Sequence, residues 1–383
     1  MNTINEAVIV AYGRSPLARA FKGSLAKTYP TDMGAQVLRE VLKKVPSLKA
    51  EEIDDVIVGC AKPERTQGKN MARIIALASG LPVSVAGKTI NRFCASGLES
   101  IAIASQAIIS GQSEVIAAGG VESMTMVPME KDEISLYDPN LVEQMPDIFT
   151  TMGMTAENVA EKYGITRKEM DDFALNSQNK AKKAREEGCF HKEIIPIKIK
   201  EGVYDFDECI RPSTTLEGLS NLKPAFKEDG KVTAGTSSPM SDGAAFVVIM
   251  SRKKAEDLKL EPIARFVGYS VAGVDPKLMG LGPIKAVPKV LKQTGLSIED
   301  MDIIELNEAF AAQAIPCARE LGIDEKKLNP RGGALALGHP LGASGAVLTI
   351  KALSYLKDEN KKYGLISMCI GGGMGAAGII EML

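Results

Sequence analysis

The chain reads as an α/β protein built from two copies of one unit, and three observations predict this. Short apolar, strand-like runs alternate with helical patterns, as in α/β architectures. Leu48-Lys49-Ala50-Glu51-Glu52-Ile53-Asp54-Asp55-Val56-Ile57 resembles Leu296-Ser297-Ile298-Glu299-Asp300-Met301-Asp302-Ile303-Ile304, an offset of 248 from residue 48 to residue 296. Ala95-Ser96-Gly97 recurs as Ala343-Ser344-Gly345 at the same offset of 248.

The elements follow in order. Ala7-Val8-Ile9-Val10 opens the first unit as a strand. Lys88-Thr89-Ile90 is a second strand that runs into Cys94, and Leu98, Ile101, Ala104 and Ile108 then mark an apolar helix face. Val115-Ala118 is a strand closed by Gly119-Gly120. A region without counterpart follows, rich in Met, Pro and charge. In it Thr155-Ala156-Glu157-Asn158 starts a helix that ends at Gly164, and Arg167 to Glu187 is a long charged helix read as a solvated face. Ile194-Ile195-Pro196-Ile197, turns and Leu222 to Phe226 complete it. In the second unit, Leu365-Ile366-Ser367-Met368 is the strand that leads to Cys369 and Gly371. The expected division is residues 1–119 with 240–262 as the first half, 120–239 as an insertion over the cleft, and 263–383 as the second half.

Composition bounds the function. The 383 residues are 45% hydrophobic and 25% charged, an ordinary globular balance. A net charge of −2 gives no electrostatic basis for binding nucleic acid or an anionic membrane. No apolar run reaches the roughly 18 residues of a membrane span. Met1 to Glu6 has no basic stretch or signal-peptide core before the first strand, so a cytoplasmic protein is expected. Six cysteines without a C-x-x-C pair argue against a disulfide scaffold or a structural metal site.

The candidate chemistry sits at two places. Cys94, in Asn91-Arg92-Phe93-Cys94-Ala95-Ser96-Gly97, lies at a strand-to-helix turn. Backbone N–H groups and the helix dipole there favour a thiolate, with a pKa lowered to about 3.5–7.5. The alternative is a buried structural cysteine. A nucleophilic cysteine needs a base, and of the two histidines His339 stands between glycines in Gly338 to Gly345. His191 follows a charged helix and reads as a solvated surface residue. Cys94 and His339 precede the two Ala-Ser-Gly triplets, so pseudo-twofold packing of the halves would bring them to one cleft.

Seven blocks, in order, resemble the thiolase family over essentially the whole chain. They are Asn91 to Gly97, Ala118 to Met124, Met152 to Asn158, Val232 to Ala245, Glu305 to Ala311, Gly338 to Gly342, and Cys369 to Gly375. The resemblance implies a duplicated α-β-α-β-α layered fold with an inserted loop domain. It implies CoA-dependent cleavage of 3-ketoacyl-CoA through an acyl-Cys94 intermediate, reversible as a Claisen condensation. His339 would take the Cys94 proton and Cys369 would protonate the leaving acetyl-CoA enolate. By the same resemblance, one oxyanion site uses His339 with a water held by Asn307, and the other the backbone N–H groups of Cys94 and Gly371. Asn307 could instead be a helix cap before Glu308-Ala309-Phe310. Arg211 and Ser238 match CoA-contacting positions, and Met152, Met279 and Phe310 match positions lining the acyl end.

Several positions depart from the family pattern. Thr151 stands where acetoacetyl-specific members often carry histidine. Thr236 replaces a frequent asparagine, Gly218 a serine that can help hold CoA, and Ala95 a serine or glycine. The segment Glu130 to Pro146 also departs. Phe93 and Thr151 point to the degradative, broad-chain-length members rather than the acetoacetyl-specific ones. A ketoacyl synthase normally needs a second active-site histidine or a different second half. A silent acyl-CoA-binding relative would be expected to lose Cys94, His339 or Cys369. CoA is expected as substrate, with no further cofactor or metal, in a homodimer or homotetramer.

Overall fold

The computed structural model describes residues 5–129 and 137–383. Residues 130–136 of the atypical segment Glu130 to Pro146 lie outside the described residues. The strands are β1 (Ala7–Arg14), β2 (Ala18–Arg19), β3 (Asp55–Gly59), β4 (Ala86–Ile90), β5 (Val115–Ser123), β6 (Ile197–Ile199), β7 (Gly202–Tyr204), β8 (Ser241–Ser251), β9 (Ala264–Gly273), β10 (Ile303–Leu306), β11 (Tyr363–Ile370) and β12 (Met374–Met382). Ten of them form one sheet in the order β10-β11-β12-β9-β1-β8-β5-β3-β4, with β2 beside β8.

The duplication is visible in pairing and register. β3-β5-β8-β1 and β10-β11-β12-β9 share the same order and the same parallel or antiparallel sense. Asp55 pairs with Ile116, and Ile303 with Gly364, each residue 248 positions from its counterpart. β1 and β9 join the halves edge to edge, antiparallel.

Side-chain alternation then sorts the molecule into five layers. On β3, Ile57 faces a core shared with the helices Ser96–Ile109 and Leu341–Asp358. Its neighbours Val56 and Val58 face the opposite way, onto the helices Pro30–Leu42 and Met71–Ala78. In the second half Ile303 and Ile366 face the central helices, while Ile304 and Leu365 meet Gly282–Thr294 and Ala311–Glu320. Covered on both faces, the inner strands are buried along their length, which explains their continuous apolar runs.

Glycines let the central helices approach. A Cβ on Gly97 would lie 2.9 Å from Ala346 N, and one on Gly345 would collide with Leu98 N. These contacts are reciprocal, since each partner lies 248 residues from its equivalent. The expectation that Gly119-Gly120 closes the preceding strand is corrected, because β5 continues to Ser123. Both glycines serve close approach rather than a turn: side chains there would strike Ala245 O and Gly342 O.

Two readings of the middle region also change. The helix expected from Thr155 begins at Met152, with Thr151 at its N-cap. The charged helix spans Arg167–Glu186 but is not solvated all round. Met170, Ala174, Ser177, Gln178, Ala181 and Ala184 form a buried face, and Gln178 donates to Leu335 O at 3.1 Å. This region is tied to the sheet by Arg14, which is fully buried between Glu193 (2.7 Å) and Asp207 (2.8 Å).

Candidate active site

Cys94 lies in a one-turn 3-10 segment, Phe93–Ala95, between β4 and the helix Ser96–Ile109. The turn is locally strained. Phe93 has φ +44°, which costs a non-glycine residue roughly 1–2 kcal/mol. Neighbouring side chains hold it there. Asn91 Oδ1 accepts the Phe93 N–H at 2.7 Å, Ser96 Oγ donates to Phe93 O at 2.6 Å, and the same Oγ accepts the Arg92 N–H at 2.8 Å.

The Cys94 thiol does not have the lowered pKa expected from the sequence. Burial pushes it up to about 11, against the N–H groups of Gly371 and of Cys94 itself, while the Glu122 carboxylate pushes it further up. The reason is positional. The α-helix starts only at Ser96, two residues after the thiol, and among the described residues no cation acts on the sulfur to repay the lost hydration. Although Cys94 as a residue keeps partial exposure, its sulfur is enclosed well enough for desolvation to dominate.

His339 precedes the second central helix, Leu341–Asp358, as Cys94 precedes the first. It is 5% exposed, and burial lowers its pKa to about 4, so the imidazole is neutral near pH 7. Its Nδ1 lies 2.5 Å from Ser344 Oγ, and its Nε2 lies 3.4 Å from Asn307 Nδ2. An amide nitrogen only donates, so Nε2 is the acceptor and the ring proton sits on Nδ1, toward Ser344. That tautomer keeps the Nε2 lone pair unprotonated, engaged only in the long 3.4 Å contact with Asn307, so that Nε2 is the nitrogen able to act as a base. The His339 backbone N–H is shared between Pro239 O (3.3 Å) and Ser241 Oγ (3.2 Å).

Asn307 follows β10 and is 1% exposed, with its N–H on Ser367 O at 2.9 Å. The next helix starts at Ala311 with Phe310 at the N-cap, which removes the helix-cap alternative. Asn307 Oδ1 has no hydrogen-bond partner among the described residues. Cys369, near the end of β11, is 1% exposed. Burial raises its thiol well above the usual range, and Cys94 and Cys317 are its acidic neighbours. Gly371 follows, and Gly372 and Gly373, at φ +78° and +82°, turn the chain into β12.

Met279, Ala309 and Cys369 form a small apolar cluster with Met152 and Phe310 packed against it. The three residues expected at the acyl end thus come together around Cys369. Ser237 bridges to Phe310 and the Ser238 N–H donates to Ala309 O at 3.0 Å, so Ser238 adjoins this cluster. Arg211 stands apart, exposed, with its backbone N–H on Gln178 Oε1 at 2.8 Å. His191 is exposed. Thr236 is consumed by its own turn, where its Oγ1 accepts the Thr233 N–H at 2.9 Å. Gly218 is exposed in the short helix Leu216–Ser220, where a Cβ would lie 3.2 Å from Thr215 Oγ1. Among the described residues no group of three or more His, Cys, Asp or Glu could hold a metal ion, and no helix is long and apolar enough to cross a membrane.

Two residues of this site carried no signal of their own in the sequence. Ser344 was visible only as part of a repeated triplet, and Glu122 only as part of a family block. Glu122 is 1% exposed at the end of β5. It accepts N–H groups from Ala61 (2.7 Å), Gly342 (2.8 Å) and the Gln67 side chain (2.7 Å).

The fold and this arrangement define a two-cysteine, one-histidine centre at the junction of two duplicated α/β halves. The chain belongs to the thiolase family. Residues 7–253 match the Thiolase, N-terminal domain, and residues 260–382 match the Thiolase, C-terminal domain. It is 48% identical to a 3-ketoacyl-CoA thiolase of Bacillus subtilis, across 99% of this chain and 100% of that one. It is 45% identical to the peroxisomal 3-ketoacyl-CoA thiolase A of Mus musculus, across 98% of this chain and 90% of that one. The crystal structure of the Bacillus anthracis acetyl-CoA acetyltransferase superposes with a TM-score of 0.92 at 43% identity, covering 100% of each chain.

Proposed function

We propose that the protein is an acetyl-CoA C-acyltransferase that cleaves 3-ketoacyl-CoA with CoA, giving acetyl-CoA and a shortened acyl-CoA. The observation that carries this reading is the contact between the turns that hold Cys94 and His339, where Gly342 O lies against Gly97, with the Gly371 N–H on the Cys94 sulfur and Asn307 beside the buried, neutral His339.

With both groups neutral near pH 7, the thiol gives up its proton as it attacks. Cys94 Sγ forms a bond to the ketone carbon while His339 Nε2 takes the thiol proton. The N–H groups of Cys94 and Gly371 stabilise the oxyanion that develops there. The carbon–carbon bond then breaks and acetyl-CoA leaves as an enolate, its oxygen held by His339 and a water on Asn307. Cys369 delivers a proton to the enolate carbon, and its raised pKa keeps that proton on the thiol beforehand. The Cys369 thiolate so formed takes the thiol proton of a second CoA, whose sulfur displaces the acyl group, and the departing Cys94 thiolate recovers its proton from His339. The apolar wall of Met152, Met279 and Phe310 holds the acyl end, while Ser238 and Arg211 contact pantetheine and adenine. CoA acts as substrate and no further cofactor is required. A cytoplasmic homodimer or homotetramer fits this role.

The second reading is acetoacetyl-CoA thiolysis. It is favoured by the likeness to an acetyl-CoA acetyltransferase and opposed by Thr151 and Phe93. The test is CoA-dependent thiolysis of acetoacetyl-CoA and 3-ketooctanoyl-CoA, with Cys94→Ala alongside. Faster cleavage of the longer substrate, lost in the variant, is the expected result. Preference for acetoacetyl-CoA selects the second reading. Absence of cleavage with retained acyl-CoA binding would instead indicate a binding protein.

A further inference from the structure

The most heavily bonded group around this centre is one that the catalytic steps do not use. Glu122 Oε2 accepts the N–H groups of Ala61 (2.7 Å) and Gly342 (2.8 Å), while Oε1 accepts from Gln67 Nε2 (2.7 Å) and Lys62 N (3.4 Å). The Cys60 thiol points at Oε1 from 3.7 Å. Every neighbour is a donor, and none can accept a carboxylic proton. Burial raises the pKa of Glu122, but these donors favour the ionised form.

The donors come from both halves. Cys60, Ala61, Lys62 and Gln67 follow β3 in the half that carries Cys94. Gly342 is the second residue of the helix that His339 precedes, where backbone N–H groups have no partner within the helix. A side chain at Gly342 would collide with Ala61 N, Cys60 Cα and Glu122 Oε2 at 2.6–2.7 Å, so the junction is closely packed. Gly342 O in turn lies against Gly97 and Gly120. The carboxylate therefore sits in the seam between the first turns of the two central helices.

We propose that Glu122 is a positioning residue: its carboxylate locks the His339 turn onto the half carrying Cys94, and its charge adds to the burial that disfavours a Cys94 thiolate. This rests on the assignment of Cys94 and His339 as nucleophile and base. Among the described residues, the ionisable groups that act on Cys94 include Glu122 on β5 and Cys369 on β11, and His339 stands ahead of the helix packed on the Cys94 turn. Arg92 and Glu99, on the Cys94 segment itself, pair with each other. Beyond Glu122 lie Cys60 and Glu64, while Lys62 extends its amine to Pro128 O at 3.1 Å. The charge effect is consistent with Glu122 raising the Cys94 pKa.

The test is the pH dependence of iodoacetamide alkylation, mapped to each cysteine by peptide mass spectrometry, together with kcat and KM. In Glu122→Gln, either amide orientation sets an NH2 against two N–H donors, and the charge is gone. Cys94 alkylation at pH 8 should rise about threefold or more, because thiolate is the reactive form. The kcat should fall about 10- to 100-fold with KM changed far less, as misplacement of a catalytic group does. Glu122→Asp keeps the charge but is too short for both N–H groups. It should keep the wild-type alkylation profile and lose kcat, and it decides the matter alone if Glu122→Gln does not fold. An unshifted Cys94 profile in folded Glu122→Gln, or wild-type kcat in Glu122→Asp, would overturn the proposal. If the fast-reacting thiol of the wild type maps elsewhere than Cys94, the nucleophile assignment fails instead.

Discussion

The first turns of the two central helices are the same device put to different uses. Each carries Ala-Ser-Gly in its first turn and presses its glycine against the other helix. Ser96 and Ser344 are equivalent at the 248-residue offset. Ser96 bonds only backbone, tying Arg92 N to Phe93 O and holding the strained turn before Cys94. Ser344 bonds a side chain, holding the His339 ring by Nδ1. The strand ends differ likewise. Gly59 closes β3, but its equivalent Asn307 follows β10 and carries an amide to the histidine. One half fixes a backbone that presents a thiol and N–H donors. The other fixes the side chains that, in the proposed mechanism, move protons. A duplicated scaffold thus acquired two chemistries by changing what equivalent positions hold.

The largest effects expected are at the two heads of these turns. Cys94→Ala should lower kcat by roughly 10⁴-fold or more, and His339→Ala by a similar amount. The double variant should lose little beyond either single one, because residues acting as one unit are far from additive. Additive losses would separate the two sites.

Next come the equivalent serines, which sharpen the contrast. Ser344→Ala removes the partner that fixes the Nδ1–H tautomer and should cost about 10- to 100-fold in kcat, in the range of general-base catalysis. Ser96→Ala should act chiefly on stability, by about 1 kcal/mol, as typical for a lost hydrogen bond. Equal kcat losses in the two would break the contrast. Denaturant melts and initial rates measured on the same samples decide it.

pH comes third. The Cys94 pKa is raised to about 11, so thiolate gains population only on the alkaline side. Alkylation of Cys94 in the free enzyme should climb from pH 8 toward 11 without a plateau near neutrality. The His339 pKa is lowered to about 4, so its base form persists down to that value. An acid limb for kcat/KM near pH 6.5 would mean a solvated ring and contradict its burial.

The smallest effects on turnover belong to the reciprocal glycines, which act on stability. Gly97→Ala and Gly345→Ala should each overpack the helix crossing and destabilise by about 1–3 kcal/mol. Similar losses in Tm would support the pseudo-twofold contact, and a neutral Gly345→Ala would argue against it.

Much of this was legible in the sequence, for identifiable reasons. His339 and Cys369 stand beside glycine runs and Cys94 stands just before an apolar helix pattern, and the repeat offset aligned the halves before any contact was known. Asn307 and Gly371 were legible through family blocks. The Cys94 pKa was not, because it depends on burial by β11 and Glu122 rather than on the adjacent helix. Glu122 binds Gly342 across 220 residues, a pairing that no local pattern carries. Gly119-Gly120 misled because glycines that admit another backbone look, in sequence, like glycines that end a strand. The buried face of Arg167–Glu186 was hidden by its heavy charge.

The most direct test is to react the enzyme with 3-ketooctanoyl-CoA without free CoA, quench in acid and map the acylated peptide by mass spectrometry. A hexanoyl group on Cys94, removed when CoA is added before quenching, is the result expected. Acylation of Cys369, or no covalent adduct with cleavage still proceeding, would contradict the assignment of Cys94 as nucleophile.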